Sequence, residues 1–246
     1  MGSQVYDDKF YDLQIEGSLA SARTIVPLVC ELFSPHTVVD VGCGLGTWLS
    51  IFKQHGVHRV TGIDGDYVSR KRLLIAEEEF ISADVTKPLS IGNKFDLAVS
   101  LEVAEHIPIE HAPRFASDLC QLAPLILFSA APPGQGGSDH INEQWPSYWE
   151  CLFKRNSYTM FDPIRKRVWG NENVCFWYRQ NIFMFVDDNL LARSKDVQTI
   201  VSANQCADLL MVHPKVFDAA LGGIRPCLRR LVELVKRKLF FAENQN

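Results

Sequence analysis

The stretch Thr37-Val-Val-Asp40-Val-Gly42-Cys43-Gly44-Leu-Gly46 decides the fold: an apolar strand with an acid near its end runs into three glycines at alternate positions. Glycine admits left-handed backbone and lets a ligand approach the chain closely. The helix expected from Thr47 turns its free N–H groups toward the same place, which predicts a nucleotide-like ligand. The spacing is not the G-x-G-x-x-G of dinucleotide-binding loops, because the glycines fall at 42, 44 and 46 with Asp40 two residues ahead. Three more strand-end signals follow in order: Val60-Thr-Gly-Ile-Asp64-Gly65, Phe80-Ile-Ser-Ala-Asp84-Val85 and Phe95-Asp-Leu-Ala-Val-Ser-Leu101.

Apolar spacing predicts a helix over residues 18–33, with Ser18 as its N-cap and Ser34-Pro35 as its stop. Further helices are expected over 47–55, 66–77 and 108–122, alternating with the strands, so the fold class is α/β with a doubly wound parallel sheet. Residues 125–129 read as the fifth strand and 145–155 as the next helix. Residues 174–178 and 182–186 read as a terminal hairpin. The pattern is complete at Asp187, which divides the chain into a domain over 1–187 and an extension over 188–246. That extension ends in an amphipathic basic helix over 224–240. It reads either as packed on its own domain or as a peripheral contact with an anionic membrane surface or acidic partner.

The chain has 246 residues, 47% of them hydrophobic and 22% charged, enough for one α/β domain with additions. Lys+Arg 25 against Asp+Glu 29 gives a net charge of -4, which disfavours nucleic acid as a partner. The seven cysteines are scattered, odd in number and form no C-x-x-C pair, which reads as reduced thiols and a cytoplasmic location. Cys43 reads as a small filler in the glycine loop rather than a nucleophile. The polar start of the chain and the lack of a long apolar run disfavour secretion and membrane spanning.

Chemistry concentrates after the fourth strand, in Ser100-Leu-Glu102-Val-Ala-Glu105-His106. Spacing of i, i+3 and i+4 puts two carboxylates and an imidazole on one face of a helical turn. They sit at the carboxyl end of a strand beside the glycine loop, where ligands bind in open α/β sheets. The loop Gly137-Ser-Asp139-His140-Ile-Asn142-Glu143 returns over the same edge and brings His140. Trp145, Tyr148 and Trp149 form a stripe that reads as core or as a wall of an acceptor pocket.

The D-x-G-x-G-x-G pattern with the three later strand ends resembles the class I S-adenosylmethionine (SAM) methyltransferases. That resemblance implies a seven-stranded, Rossmann-like sheet with helices on both faces and an antiparallel terminal hairpin. It implies SAM lying along Asp40, Gly42, Cys43, Gly44, Gly46, Asp64, Gly65, Asp84, Val85 and Leu101, with Asp64 on the ribose hydroxyls and Asp84 beside the adenine. Glu102, Glu105 and His106, with His140 added by loop order, resemble the metal site of the small-RNA 3′-end 2′-O-methyltransferases. The first three also resemble the metal triplet of the ubiquinone-biosynthesis O-methyltransferases. Residues 6–187, including Phe10-Tyr11-Asp-Leu-Gln14 and Trp177-Tyr-Arg-Gln-Asn181, resemble a bacterial group of class I methyltransferases, which implies the reaction and not the acceptor.

The expectation is therefore a SAM-dependent transferase acting on a small polar acceptor at oxygen, with catalytic Glu102, Glu105, His106 and His140. The resemblance points to Mg²⁺ at these four residues, whereas two imidazoles with two carboxylates favour Mn²⁺, Fe²⁺, Co²⁺ or Zn²⁺. Without a metal, His106 or His140 would be a general base oriented by Glu102 or Glu105. A third reading makes Glu105-His106 a structural helix start. Alternative functions are a small-RNA 2′-O-methyltransferase and an inactive SAM-binding regulatory protein.

Overall fold

The computed structural model describes residues 8–89, 91–206 and 209–216, with side chains from residue 16 onward. The apolar runs become β1 (Thr37–Val41), β2 (Arg59–Asp64), β3 (Phe80–Ser82), β4 (Leu97–Leu101) and β5 (Leu125–Ser129), joined by β6 (Tyr158–Phe161) and β7 (Phe183–Asp187). They form one seven-stranded sheet in the order β3-β2-β1-β4-β5-β7-β6. Strand β7 is antiparallel to both β5 and β6, and the other pairings are parallel. Every residue of β4 and β5 is buried. Central strands covered on both faces need apolar residues throughout, which is why they read as continuous runs.

The helices are α1 (Asp8–Phe33), α2 (Thr47–Gln54), α3 (Ala112–Leu122), α4 (Pro146–Arg155), α5 (Arg165–Val168), α6 (Phe176–Asn181), α7 (Asp188–Arg193) and α8 (Lys195–Ala203). Alternation along β1 feeds two cores. Val38 packs with Ile25 of α1, Leu49 and Phe52 of α2 and Val201 of α8 on one face. Val39 packs with Phe115 and Leu119 of α3 and Phe153 of α4 on the other.

Three expected elements differ. The first helix does not start at Ser18 but runs from Asp8 through it. A Cβ on Gly17 would lie 2.9 Å from the Cys175 sulfur, so this glycine lets α1 approach the segment before α6 closely. No α-helix forms over 66–77, which holds only 3-10 turns at Arg70–Arg72 and Glu77–Glu79. There the Leu74 N–H donates to the Leu45 carbonyl at 2.8 Å and Ile75 packs under Gly46, so the chain is tied to the glycine loop instead of coiling. The expected 174–178 strand is also absent, and β6 is the hairpin partner of β7. Residues 178–181 are all buried, and a helical turn gives each a partner inside where a strand would send alternate ones to the opposite face.

The chain divides into compact units Met1–Met211 and Val212–Asn246. The basic helix expected over 224–240 lies outside the described residues. Among the described residues, no helix is long and apolar enough to cross a membrane.

Candidate active site

Strand order reverses at β1, which pairs with β2 on one side and β4 on the other. Open α/β sheets bind ligands in the crevice beyond the carboxyl ends at such a point. The glycine loop fills that place. Gly42 has φ 83, and a Cβ there would meet Val103 at 2.3 Å. Gly44 has φ 54 and nothing within 4 Å of an added Cβ, so its bare backbone faces open space.

Asp64 ends β2 and is 6% exposed. Its carboxylate accepts from the Gly44 N–H and the Gly65 N–H, each at 2.7 Å, and from the Tyr67 hydroxyl. Three of roughly four lone-pair positions are thus engaged, which pins the carboxylate beside the loop. Asp40 is buried beside it, and burial followed by the Asp64 charge pushes its carboxyl well above the usual range. Cys43 is buried with its sulfur against Gly62, and burial raises its thiol far up, so it is packed and unreactive. Leu101 is buried at the end of β4 and Val85 packs on the second core. Asp84 lies past the end of β3, exposed, accepting from the Thr86 N–H at 2.9 Å and hydroxyl at 2.6 Å, with Lys87 at 3.2 Å. Those contacts hold its pKa low. For Tyr11 and Gln14 only the backbone, within α1, is described.

The second cluster lies after β4. Glu102 has φ 55, so it does not share a helical turn with Glu105 and His106, which occupy a separate 3-10 turn, Ala104–His106. Its carboxylate accepts from the Gln135 amide at 2.8 Å and the Asn181 amide at 3.1 Å. Gln180 in turn donates to Asn181 at 2.9 Å. Burial raises the Glu102 pKa against these hydrogen bonds. The Trp177–Asn181 stretch thus acquires a physical role as an amide shelf under Glu102.

Glu105, His106 and His140 do converge, with one ligand atom of each within 4.8 Å of the others. Glu105 is fully buried and neither carboxylate oxygen has a well-formed hydrogen bond, the Glu105 and Ala131 backbone N–H groups giving it only weak support. Burial, then the Glu102 charge, pushes its pKa up to about 9. His140 Nε2 stands 4.0 Å from Glu105 Oε1. His140 Nδ1 lies 2.9 Å from Glu143 Oε1, and His106 Nδ1 lies 3.2 Å from the Asp139 carbonyl. Both partners are acceptors, so each ring donates from Nδ1 and leaves Nε2 outside that hydrogen bond. Partial burial and the neighbouring His140 lower the His106 pKa, favouring the neutral ring a metal requires.

The sequence reading missed Glu143. Its carboxylate also accepts from the Gly134 and Gly136 N–H groups at 2.7 and 2.8 Å, so it orders the loop and orients His140 together. An acid three residues after a candidate ligand was the available signal. Of the aromatic stripe, Trp149 is core at 2% exposure, while Trp145 is 40% and Ile141 63% exposed close to His140 in the chain.

A family of proteins described as the methyltransferase domain matches residues 13–171. The chain belongs to this family. Its sheet is that of the class I SAM-dependent methyltransferases, as solved structures bear out. It is similar to magnesium protoporphyrin IX methyltransferase from Synechocystis PCC 6803 with bound SAM, at 20% identity and TM-score 0.53, over 76% of this chain and 86% of that one. The methyltransferase domain of bacterial CtHen1-C is similar at 17% identity and TM-score 0.52, over 69% and 98%. An O-methyltransferase family protein from Burkholderia thailandensis is similar at 12% and 0.52, over 74% and 60%. No curated protein matches the chain significantly.

Proposed function

We propose that this methyltransferase moves the methyl group of SAM to a hydroxyl oxygen of a small polar acceptor, with a divalent cation held by Glu105, His106 and His140. The carrying observation is Glu105, whose two buried oxygens have no well-formed hydrogen bond in a cluster with two imidazoles. A buried carboxyl so weakly supported costs several kcal/mol relative to a paired one, so a site that retains it has a cation as its natural complement.

SAM supplies an electrophilic sulfonium methyl, and the chain's task is to align the acceptor and remove its proton. A bound divalent ion would supply Lewis acidity toward an acceptor oxygen. One carboxylate and two neutral imidazoles suit Mn²⁺, Fe²⁺, Co²⁺ or Zn²⁺ better than Mg²⁺. Gly44 leaves room for cofactor at the loop, and Asp64 offers its carboxylate edge to ribose hydroxyls once the Tyr67 hydroxyl yields. Glu143 and the Asp139 carbonyl hold the two rings in the ligating tautomer. Glu102, oriented by Gln135 and Asn181 and outside the ligand triad, is placed to accept the acceptor's hydroxyl proton. Exposed Ile141 and Trp145 give the acceptor's unreactive part an apolar flank.

The test is transfer of tritiated methyl from SAM to a panel of catechols, hydroxy acids and sugars. Turnover lost in EDTA and restored by Mn²⁺ supports the reading. Full turnover in EDTA, or product methylated at nitrogen or carbon, overturns it.

A further inference from the structure

Among the described residues two arginines are buried, Arg165 and Arg179, and they are not treated alike. Arg165, 1% exposed, donates through Nε to Asp162 at 2.8 Å and stacks on the Phe183 ring at 4.0 Å. Its charge is neutralised inside the protein. Arg179, 3% exposed, donates through Nη1 to the Trp169 carbonyl at 3.1 Å, and its Nε–H has no partner. Among the described residues no carboxylate pairs with it. A guanidinium is always charged, and burying it on one neutral carbonyl leaves most of its hydration unreplaced. Structural arginines that deep are normally paired, as Arg165 is.

Arg179 sits in α6, which leads into β7 at the edge where the parallel strands end. One neighbour, Tyr178, packs its ring edge-on against Trp48 of α2 at 5.1 Å, in the helix that begins at the glycine loop. Two residues on, Asn181 holds Glu102. Arg179 therefore lies on the stretch of backbone that runs between contacts to the glycine-loop helix and to Glu102, with its guanidinium against the Trp169 carbonyl.

We propose that Arg179 is the receptor for a carboxylate carried by a molecule bound in this crevice, either the amino-acid end of the cofactor or the acceptor. The planar fork suits a carboxylate, and Nε is the donor left free for it. This rests on the SAM reading above, and the experiment separates the two.

S-adenosylhomocysteine and 5′-methylthioadenosine share nucleoside and sulfur but only the first carries the carboxylate. Both are titrated calorimetrically into the parent, Arg179→Gln and Arg179→Lys. Failure of the parent to bind either would sink the SAM reading itself. If the cofactor's carboxylate is the partner, Arg179→Gln loses about tenfold or more in S-adenosylhomocysteine affinity while 5′-methylthioadenosine binds unchanged, with Arg179→Lys between. Unchanged binding of the second nucleoside also shows that the variant is folded. If the acceptor supplies it, both nucleosides bind all three proteins equally. Acetate and succinate then raise the melting temperature of the parent saturated with S-adenosylhomocysteine but not of Arg179→Gln. Equal nucleoside affinities with no carboxylate effect that the substitution removes would overturn the proposal, and Arg179 would be structural.

Discussion

In Glu105→Gln a neutral amide of nearly the same shape replaces a carboxyl whose two oxygens are buried without a well-formed hydrogen bond. The parent carboxyl has its pKa pushed from 4.5 to about 9 by burial and the Glu102 charge. An acid with a raised native pKa contributes its stability fully below the unfolded value and loses it as pH rises toward the native one. Each pH unit in that window removes about 1.4 kcal/mol. Metal-free parent at pH 8 is therefore destabilised by roughly 5 kcal/mol relative to pH 4.5 through this site alone. The amide carries no such term. At about 2–4 °C per kcal/mol for a chain of this size, Glu105→Gln should melt roughly 10 °C or more above the parent at pH 8 in EDTA. The difference should shrink toward zero near pH 5. In excess Mn²⁺ the order should reverse or close, because the variant loses the ligand that turns the buried carboxyl to advantage. Thermal denaturation across pH 5–8, with and without metal, decides it. A melting difference that does not depend on pH would refute the claim that Glu105 is the ionisable strain in this site.

Asp64→Ala should weaken S-adenosylhomocysteine binding by about 1–3 kcal/mol in calorimetry, since a charge-assisted acceptor at the loop is lost; unchanged affinity would remove Asp64 from the cofactor site. Glu143→Gln should lower Co²⁺ affinity roughly 10–100-fold, and the His140 ring-nitrogen shifts should show mixed tautomers; shifts identical to the parent would mean that Glu143 only ties the loop. Gly42→Ala should cost a few kcal/mol in urea denaturation, because its Cβ lands 2.3 Å from Val103 at φ 83; a neutral result would mean that the loop relaxes freely.

The sheet was legible because its strands are buried on both faces, so β1, β4 and β5 announce themselves as apolar runs followed by turn residues. What local pattern could not give was decided by distant contacts. The segment around Ile75 has helical composition, yet the Leu45 carbonyl and the underside of Gly46 claim it. Aromatic residues 176–178 look like strand, but the buried amides and guanidinium beside them need partners on several sides. In the site, Glu105, His106 and His140 were legible from spacing and loop order, and they converge. Glu102 was grouped with them because i, i+3, i+4 spacing presumes a regular helix, whereas its left-handed backbone at φ 55 turns it to the Asn181 amide instead. That amide is 79 residues away in the chain, beyond the reach of any local signal.

The measurement that bears most directly on the central claim is a crystal structure grown with S-adenosylhomocysteine and Mn²⁺, with anomalous data collected at the manganese edge. Nucleoside density is expected along Gly44 and Asp64, with an anomalous peak ligated by Glu105, His106 and His140. Ordered S-adenosylhomocysteine with no peak among those three side chains would contradict it.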